Sequence, residues 1–263
     1  MLTINPGADL VFDTGYLVSF TADSIIDMTS NKYAETASYR FSTRANANDQ
    51  TFIGGGANES FISGSGNDNI DGGPGVNAVV YSSNRSNFEL TKTTSGFTMT
   101  DRTGALGTDT LQNIERLKFA DGGIALDVGA TQSAGETAML LGAVLPGRLV
   151  YDSTKQVLVG AVIDLFDQGY GLQSLAGAVM RLPIWDELTG KAVATNTDIA
   201  SYLLTNVNGG APDATTLTNA VASLNTETEF ASQGGFLWQL AASGANQTHV
   251  GLVGLAATGL AFG

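Results

Sequence analysis

Cysteine is absent from the 263-residue sequence, and histidine occurs once, as His249 near the C-terminus. Without cysteine, the chain can form no disulfide, no thiolate zinc site and no cysteine nucleophile. Neither a G-x-S-x-G nor an H-E-x-x-H motif occurs. Because catalysis needs a base together with a nucleophile or a metal in one cleft, we predict that the chain is not an enzyme.

Basic residues are also scarce, since 12 Lys and Arg stand against 25 Asp and Glu and the formal net charge is -13. Such a surface repels phosphate backbones, so we expect no nucleic-acid partner. The acidic excess fits either plain solubility or contact with divalent cations outside the cell. Composition alone leaves both interpretations open.

Long apolar runs and an N-terminal leader are missing as well. No stretch reaches the roughly 18 uninterrupted apolar residues of a membrane span, so we expect no membrane insertion. Residues 1–6, MLTINP, contain neither a basic segment nor an apolar one. A cleaved secretory signal is therefore not expected, and export would need a different signal.

The spacing of apolar residues in the sequence changes near residue 130. Before it, short alternating runs such as 16–20 and 38–41 favour strands joined by tight turns. After it, apolar residues recur with helical spacing. The clearest helical stripes are Leu158, Ala161, Val162, Leu165 and Phe166, then Leu172, Leu175, Ala176, Val179 and Met180. We predict a segregated α+β fold, with a β domain over 1–130 and a small helical domain over 131–263.

Four consecutive nonapeptides occupy residues 45–80: ANANDQTFI, GGGANESFI, SGSGNDNID and GGPGVNAVV. Each has an apolar eighth residue, and these are Phe52, Phe61, Ile70 and Val79. The series resembles the repeats-in-toxin consensus G-G-x-G-x-D-x-U-x. The alternative is a Gly- and Asn-rich surface loop, but four repeats in register favour the repeat interpretation.

The resemblance implies a calcium-binding β-roll, a β-solenoid in which two nonapeptides form one coil. Calcium would lie between loops two repeats apart, held by backbone carbonyls and the position-six side chains, which suits a cation that prefers oxygen ligands. Carried over to this sequence, position six pairs Gln50 with Asp68 on one edge and Glu59 with Asn77 on the other. The accompanying turn glycines are Gly55, Gly64, Gly66, Gly73 and Gly75. Only Asp68 matches the family ligand, so we expect one or two calcium ions.

Residues 81–128 resemble the segment that follows the last repeat in such proteins, chiefly through GTDTLQNIERLKFADG. Alternating apolar residues over 88–90 and 97–99 predict a hairpin, and we expect the segment to cap the β-roll. Asp101, Asp109 and Asp121 are predicted to lie in Gly-containing turns. There they would bond to their own backbone, with a further calcium site as the alternative.

The segments GGAPDATTLTNAVASLN and ASGANQTHVGLVGLAATGLAF lie in the second half of the chain. Chiefly through them, residues 134–263 resemble a helical domain of unknown function that often ends repeats-in-toxin proteins. The family is exported by type I secretion machinery, which reads an uncleaved C-terminal signal, and residues 259–263, GLAFG, are compatible with one. The resemblance therefore implies a secreted protein, extracellular or on the cell surface.

Two functions follow from these observations. The first is a calcium-binding structural or adhesive protein of a surface layer, matrix or filament, which would self-associate as a homo-oligomer or surface polymer. The second is a calcium-dependent secretion and folding module of a longer type I secreted enzyme or pore-former.

Overall fold

The computed structural model describes residues 15–20, 37–42, 49–146, 152–226 and 234–263. The first two strands, β1 (Gly15–Phe20) and β2 (Ala37–Ser42), pair antiparallel with each other. They confirm the strands predicted near residues 16–20 and 38–41. The resemblance leaves residues 1–44 without a counterpart, and we expect further degenerate coils there, but most of these residues lie outside those that the structure describes.

Four three-residue strands follow, one from each nonapeptide: β3 (Thr51–Ile53), β4 (Ser60–Ile62), β5 (Asn69–Asp71) and β6 (Ala78–Val80). Strand β3 pairs in parallel with β5, and β4 pairs in parallel with β6, so partners lie two repeats apart. The eighth residue is the middle of each strand, and alternation along a strand turns it towards the interior. Ile70 and Val79 are fully buried.

The next five strands extend both sheets. Strands β7 (Phe88–Lys92) and β8 (Phe97–Asp101) form the predicted antiparallel hairpin. Strand β9 (Thr108–Gln112) pairs antiparallel with β8 but parallel with β5. Strand β10 (Arg116–Phe119) pairs parallel with β6 and antiparallel with β11 (Gly122–Ala125). The sheet orders are therefore β3-β5-β9-β8-β7 and, with a last strand β12 (Leu260–Phe262), β12-β11-β10-β6-β4.

Apolar side chains between the two sheets form the first core. Ile70 and Leu111 come from one sheet, and Val79 and Leu117 come from the other, and all four are buried. The rings of Tyr81, Phe88 and Phe119 pack against one another in the same core, with Tyr81 stacked on Phe119 at a centroid distance of 5.6 Å. Within residues 81–128, β9 and β10 thus continue the parallel pairing of β5 and β6, and β8 and β11 pair with the far sides of β9 and β10.

The described part of the second half contains nine helices. They are α1 (Ser133–Val144), α2 (Gln156–Asp167), α3 (Leu172–Met180), α4 (Trp185–Thr189), α5 (Asn196–Asn208), α6 (Ala214–Thr226), α7 (Gly235–Ala242), α8 (Gly244–His249) and α9 (Leu252–Thr258). A capping box of Thr195 and Asp198 begins α5, which satisfies two backbone N–H groups at its start. None of the described helices is both long enough and apolar enough to cross a bilayer.

The two predicted helical stripes have different outcomes. In α3 the stripe is confirmed at Leu172, Leu175 and Ala176, which are buried. In α2 it is confirmed at Phe166, which is buried, but Leu158 and Ala161 are exposed, and the other buried positions are Val159 and Ile163. Helix α2 is apolar on most sides, so hydrophobic spacing alone does not select its buried face.

The prediction of a segregated α+β fold with an N-terminal β-roll or β-solenoid is wrong. The described chain is mixed α/β, because each of the two five-stranded sheets combines parallel and antiparallel pairs. Strand β12 follows the last helix and yet pairs with β11, so the helical half contributes a strand to the second sheet. Strand β11 also serves both cores: Ile124 lies in the first, and Ala125 lies in the second among the helices. The domain division at residue 130 stays a prediction.

Candidate cation-binding turns

The turns that precede the parallel strands stack in two columns. Column A consists of residues 49–50, 63–68 and 104–109, which lead into β3, β5 and β9. Column B consists of residues 54–59, 72–77 and 113–115, which lead into β4, β6 and β10. All the predicted calcium ligands lie in these columns, with Gln50 and Asp68 in column A and Glu59 and Asn77 in column B.

Position-six side chains, together with Glu115 in column B, connect neighbouring turns of each column through backbone N–H groups. In column A, Asp68 Oδ1 accepts from the N–H of Gln50 at 2.8 Å, and Asp109 Oδ1 accepts from the N–H of Asp68 at 3.0 Å. In column B, Asn77 Oδ1 accepts from the N–H of Glu59 at 3.1 Å, and Glu115 Oε2 accepts from the N–H of Asn77 at 2.7 Å. One oxygen of each of these side chains therefore stabilises the stack.

Position-five side chains make the reciprocal contacts. Asp49 Oδ1 accepts from the N–H of Asn67 at 2.8 Å, and Asn67 Oδ1 accepts from the N–H of Thr108 at 2.9 Å. Asn58 Oδ1 does the same for the N–H of Val76 in column B. The turns are thus joined in both directions by side-chain to backbone hydrogen bonds, which satisfy N–H groups that the short strands leave unpaired.

A fifth repeat-like unit lies at residues 104–112, GALGTDTLQ, and was missed from the sequence. It places Asp109 at position six and Leu111 at position eight, and β9 pairs Leu111 with Ile70. The insertion over residues 81–103, which contains the β7–β8 hairpin, separates it from the first four repeats. The sequence does contain a signal for this unit, the pattern G-x-x-G-x-D-x-U. It can be recognised only if the repeats are assumed to continue after an insertion of 23 residues, 81–103.

The expectation for the three turn aspartates is right for one of them. Asp101 does lie at a turn and accepts from the N–H groups of Thr103 and Leu106, both at 2.9 Å. Asp109, in contrast, lies within β9 and is buried. Asp121 lies in the predicted turn, between β10 and β11, but it accepts from the N–H of Arg85 at 2.7 Å, 36 residues earlier in the sequence, and not from its own turn. Asp109 therefore belongs to column A.

Column A concentrates buried negative charge. Asp68 and Asp109 are 2% and 3% exposed. Burial raises the pKa of Asp109 to about 6, although hydrogen bonds from Asp68 and Tyr81 act in the opposite direction. Burial also raises the pKa of Asp68, and the nearby charge of Asp49 adds to that effect. Desolvation and like charges both disfavour the ionised forms of Asp68 and Asp109, and no basic side chain of the described residues lowers the pKa of either carboxyl.

The two buried carboxylates differ in their partners. Asp109 Oδ2 accepts from the Tyr81 hydroxyl at 3.0 Å, so both its oxygens are engaged. Asp68 Oδ2 is buried and accepts no hydrogen bond from any described residue. A buried acceptor without a donor costs about 1–3 kcal/mol, and more when it is charged. A cation at Asp68 Oδ2 would remove that cost.

Column B is chemically different. The Asn77 amide donates through Nδ2 to the carbonyls of Gly73 and Asn113, at 3.1 and 3.2 Å. These donors satisfy carbonyl oxygens that a cation would otherwise contact. Glu59 Oε1 accepts from the N–H of Gly55 at 3.1 Å, and Glu59 Oε2 is buried without a donor. Among the described residues, column B therefore offers one buried position-six oxygen without a hydrogen-bond donor, Glu59 Oε2, in the turn that precedes β4.

Close stacking explains the glycines of the columns. A Cβ at Gly75 would lie 2.2 Å from the carbonyl oxygen of Ala57, and its φ is +126°. A Cβ at Gly107 would lie 2.2 Å from the carbonyl oxygen of Gly66, and its φ is +84°. Both the conformation and the space require glycine there. The predicted turn glycines Gly64, Gly66 and Gly73 also have positive φ, whereas Gly55 is an exposed N–H donor.

Two further findings bear on the site. Among the described residues, no group of three or more carboxylate or imidazole side chains is arranged to hold a metal ion, so any cation would depend on backbone carbonyls as well. Comparison of the chain with protein-family models, curated proteins and solved structures finds no match. The resemblance to the repeats-in-toxin family therefore stays a prediction.

Proposed function

We propose that this chain is a calcium-binding structural or adhesive protein that acts outside the cell. The observation that supports this most directly is the buried, unpartnered Asp68 Oδ2 beside the buried Asp109. Two desolvated carboxylates one turn apart form an acidic site, and carboxylate and carbonyl oxygens are the ligands that Ca²⁺ prefers. When bound, calcium would neutralise this charge and join neighbouring turns.

Column A is the better candidate within the predicted ligand set. Asp68 would hold the ion, assisted by Asp109 and by Gln50 of the turn below. In column B the Asn77 amide already engages two carbonyls, so Glu59 and Asn77 form the weaker pair. Few charges face each ion, and we expect a Kd of about 10⁻⁴ to 10⁻³ M, which suits extracellular calcium levels.

Export and assembly complete the proposal. Secretion by type I machinery follows from the resemblance of the repeats, and the proposed location is the exterior or the cell surface. Assembly is supported by β3 and β4, which each pair on one side only within the described sheets. Their last residues, Ile53 and Ile62, are 79% and 64% exposed, and unpaired edges with exposed apolar residues favour strand addition.

Calcium titration calorimetry tests the site. Asp68→Asn keeps the shape of the side chain and an oxygen for the Gln50 N–H, but it removes the charge. We expect at least one site in the wild type and a loss of about ten-fold or more in its affinity in the variant. Asp164→Asn, on the exposed side of α2, is the matched control and should bind as the wild type does. Equal binding by both variants would refute the assignment.

Particle size separates the two functions. If calcium binds and the particles grow, the structural or adhesive function gains support. If calcium binds and the protein stays monomeric throughout the titration, the secretion and folding module is favoured. Light scattering at constant ionic strength makes the distinction, because constant ionic strength removes the general screening effect of the added salt.

A further inference from the structure

Arg116 joins the stacked turns to the helices through one buried and one half-buried ion pair. It lies in β10, opposite Ala78 of β6. Its Nη1 contacts Asp127, and its Nη2 contacts both carboxylate oxygens of Asp167 at 2.7 and 2.8 Å. The Arg116 side chain is 7% exposed, and Asp167, at 19%, is the most exposed member of the group.

The carboxylates of Asp127 and Asp167 depend on the Arg116 guanidinium for charge compensation. Two carboxylates share one positive charge, so removal of Arg116 would leave two unpaired charges with little access to water. Asp167 is also the last residue of α2, where the helix dipole disfavours a negative charge. Arg116 therefore holds the end of α2 against the second sheet.

The same residue is bonded directly to column B. The backbone N–H groups of Glu115 and Arg116 donate to the carbonyl of Asn77, at 3.0 and 2.9 Å. Arg116 Nη1 also donates to the carbonyl of Glu115 at 2.9 Å. Asn77 in turn accepts from Glu59 one turn lower. A continuous set of hydrogen bonds thus runs from the lower turns to Arg116 and on to α2.

We propose that Arg116 couples the stacked turns to the helical half, so that a change in the stability of the stack alters the stability of the helices. The calcium form of this proposal rests on the proposed function, since calcium would be the natural signal that tightens the stack. The coupling itself does not depend on calcium, and any perturbation of the stack can test it.

The chain contains suitable reporters for each half. Its two tryptophans, Trp185 and Trp238, both lie in helices of the second half, so intrinsic fluorescence during unfolding reports on the helices. Hydrogen exchange of peptides from residues 49–80 reports on the stack. Val79→Ala, a fully buried position in the first core, loosens the stack without touching the helices.

The decisive experiment places Val79→Ala in two backgrounds. In the wild type, it should speed exchange over residues 49–80 and lower the midpoint of the fluorescence transition. In Arg116→Met with Asp127→Asn and Asp167→Asn, which removes all three charges together, exchange should speed up equally but the midpoint should shift about two-fold less. Arg102→Met, at an exposed ion pair with Glu89, is the control background and should behave as the wild type.

Every outcome decides the proposal. Equal midpoint shifts in both backgrounds overturn it, and the reduced shift supports it. If the triple variant does not fold, Asp167→Asn alone replaces it, since that carboxylate is the most exposed of the group. Calcium that slows exchange over 49–80 in the wild type without moving the fluorescence midpoint also overturns the coupling. If calcium has no effect on hydrogen exchange over residues 49–80, the proposed function is refuted instead. The coupling is then tested by the Val79→Ala comparison alone.

Discussion

The carboxylate of Asp109 accepts a hydrogen bond from the backbone N–H of Asp68 at 3.0 Å, across 41 residues of sequence. This contact places a fifth repeat-like unit directly on the third one. It also brings two buried carboxylates into adjacent turns, which is the feature that favours a cation there.

Without calcium, the raised pKa of Asp109 makes the fold sensitive to pH. The folded value is about 6, against an ordinary value of 3.8, so the folded state holds the proton more tightly. The Asp109 carboxyl therefore contributes roughly 2–3 kcal/mol to the free energy of unfolding below about pH 4. This contribution is lost as the pH rises through 6.

Asp109→Asn should remove that part of the pH dependence, because the amide has no charge to desolvate. Urea unfolding at a series of pH values between 4 and 7, in the presence of a chelator, measures it. Identical pH profiles for the variant and the wild type would show that Asp109 does not titrate as its burial indicates.

Gly107→Ala should destabilise the protein more than Gly104→Ala does. Both glycines have positive φ, +84° and +78°, so both substitutions carry a similar backbone strain of about 1–2 kcal/mol. Only at Gly107 would the new Cβ meet an atom, the Gly66 carbonyl oxygen, whereas nothing lies within 4 Å at Gly104. Overpacking adds about 1–3 kcal/mol, which denaturant unfolding resolves. Equal losses would show that the turns do not stack this closely.

The local pattern of the sequence predicted the short strands and their inward-facing residues well. The eighth positions Ile70 and Val79 are buried because alternation within a three-residue strand is a local property. The place of Asp109 depends on pairing across the inserted hairpin, and the presence of β12 in the second sheet depends on its return from the helical half. Such non-local pairings are decided by packing between distant segments, which a periodic pattern does not encode.

Leu260→Ala should cost about 2–5 kcal/mol, because Leu260 is fully buried in β12. Val253→Ala, at a position 91% exposed, should cost nothing measurable and serves as its control. The result matters for export, since deletion of residues 259–263 would remove both the proposed signal and a strand of the second sheet.

A secretion assay should therefore compare Leu260→Ala with that deletion. The deletion should trap the protein inside its native host, whereas Leu260→Ala should still be exported if the signal is read before folding. Undiminished secretion of the truncated chain would refute a C-terminal signal.

Ile53→Lys with Ile62→Lys should suppress calcium-promoted association, because a charge on each open edge strand opposes strand addition. Val193→Lys, at an exposed position in the helical half, is the control and should leave association unchanged. Light scattering across a calcium titration measures the particle size of the double variant and of the control. Growth of particles by the double variant to the wild-type size would exclude β3 and β4 as the contact.

The free energy of unfolding with and without calcium tests the central claim most directly. For a Kd of 10⁻⁴ to 10⁻³ M, about 10 mM calcium should stabilise the wild type by about 1.4–2.7 kcal/mol. At matched ionic strength, Asp68→Asn should lose this gain and Asp164→Asn should retain it. Wild-type protein that is equally stable with and without calcium would contradict the account.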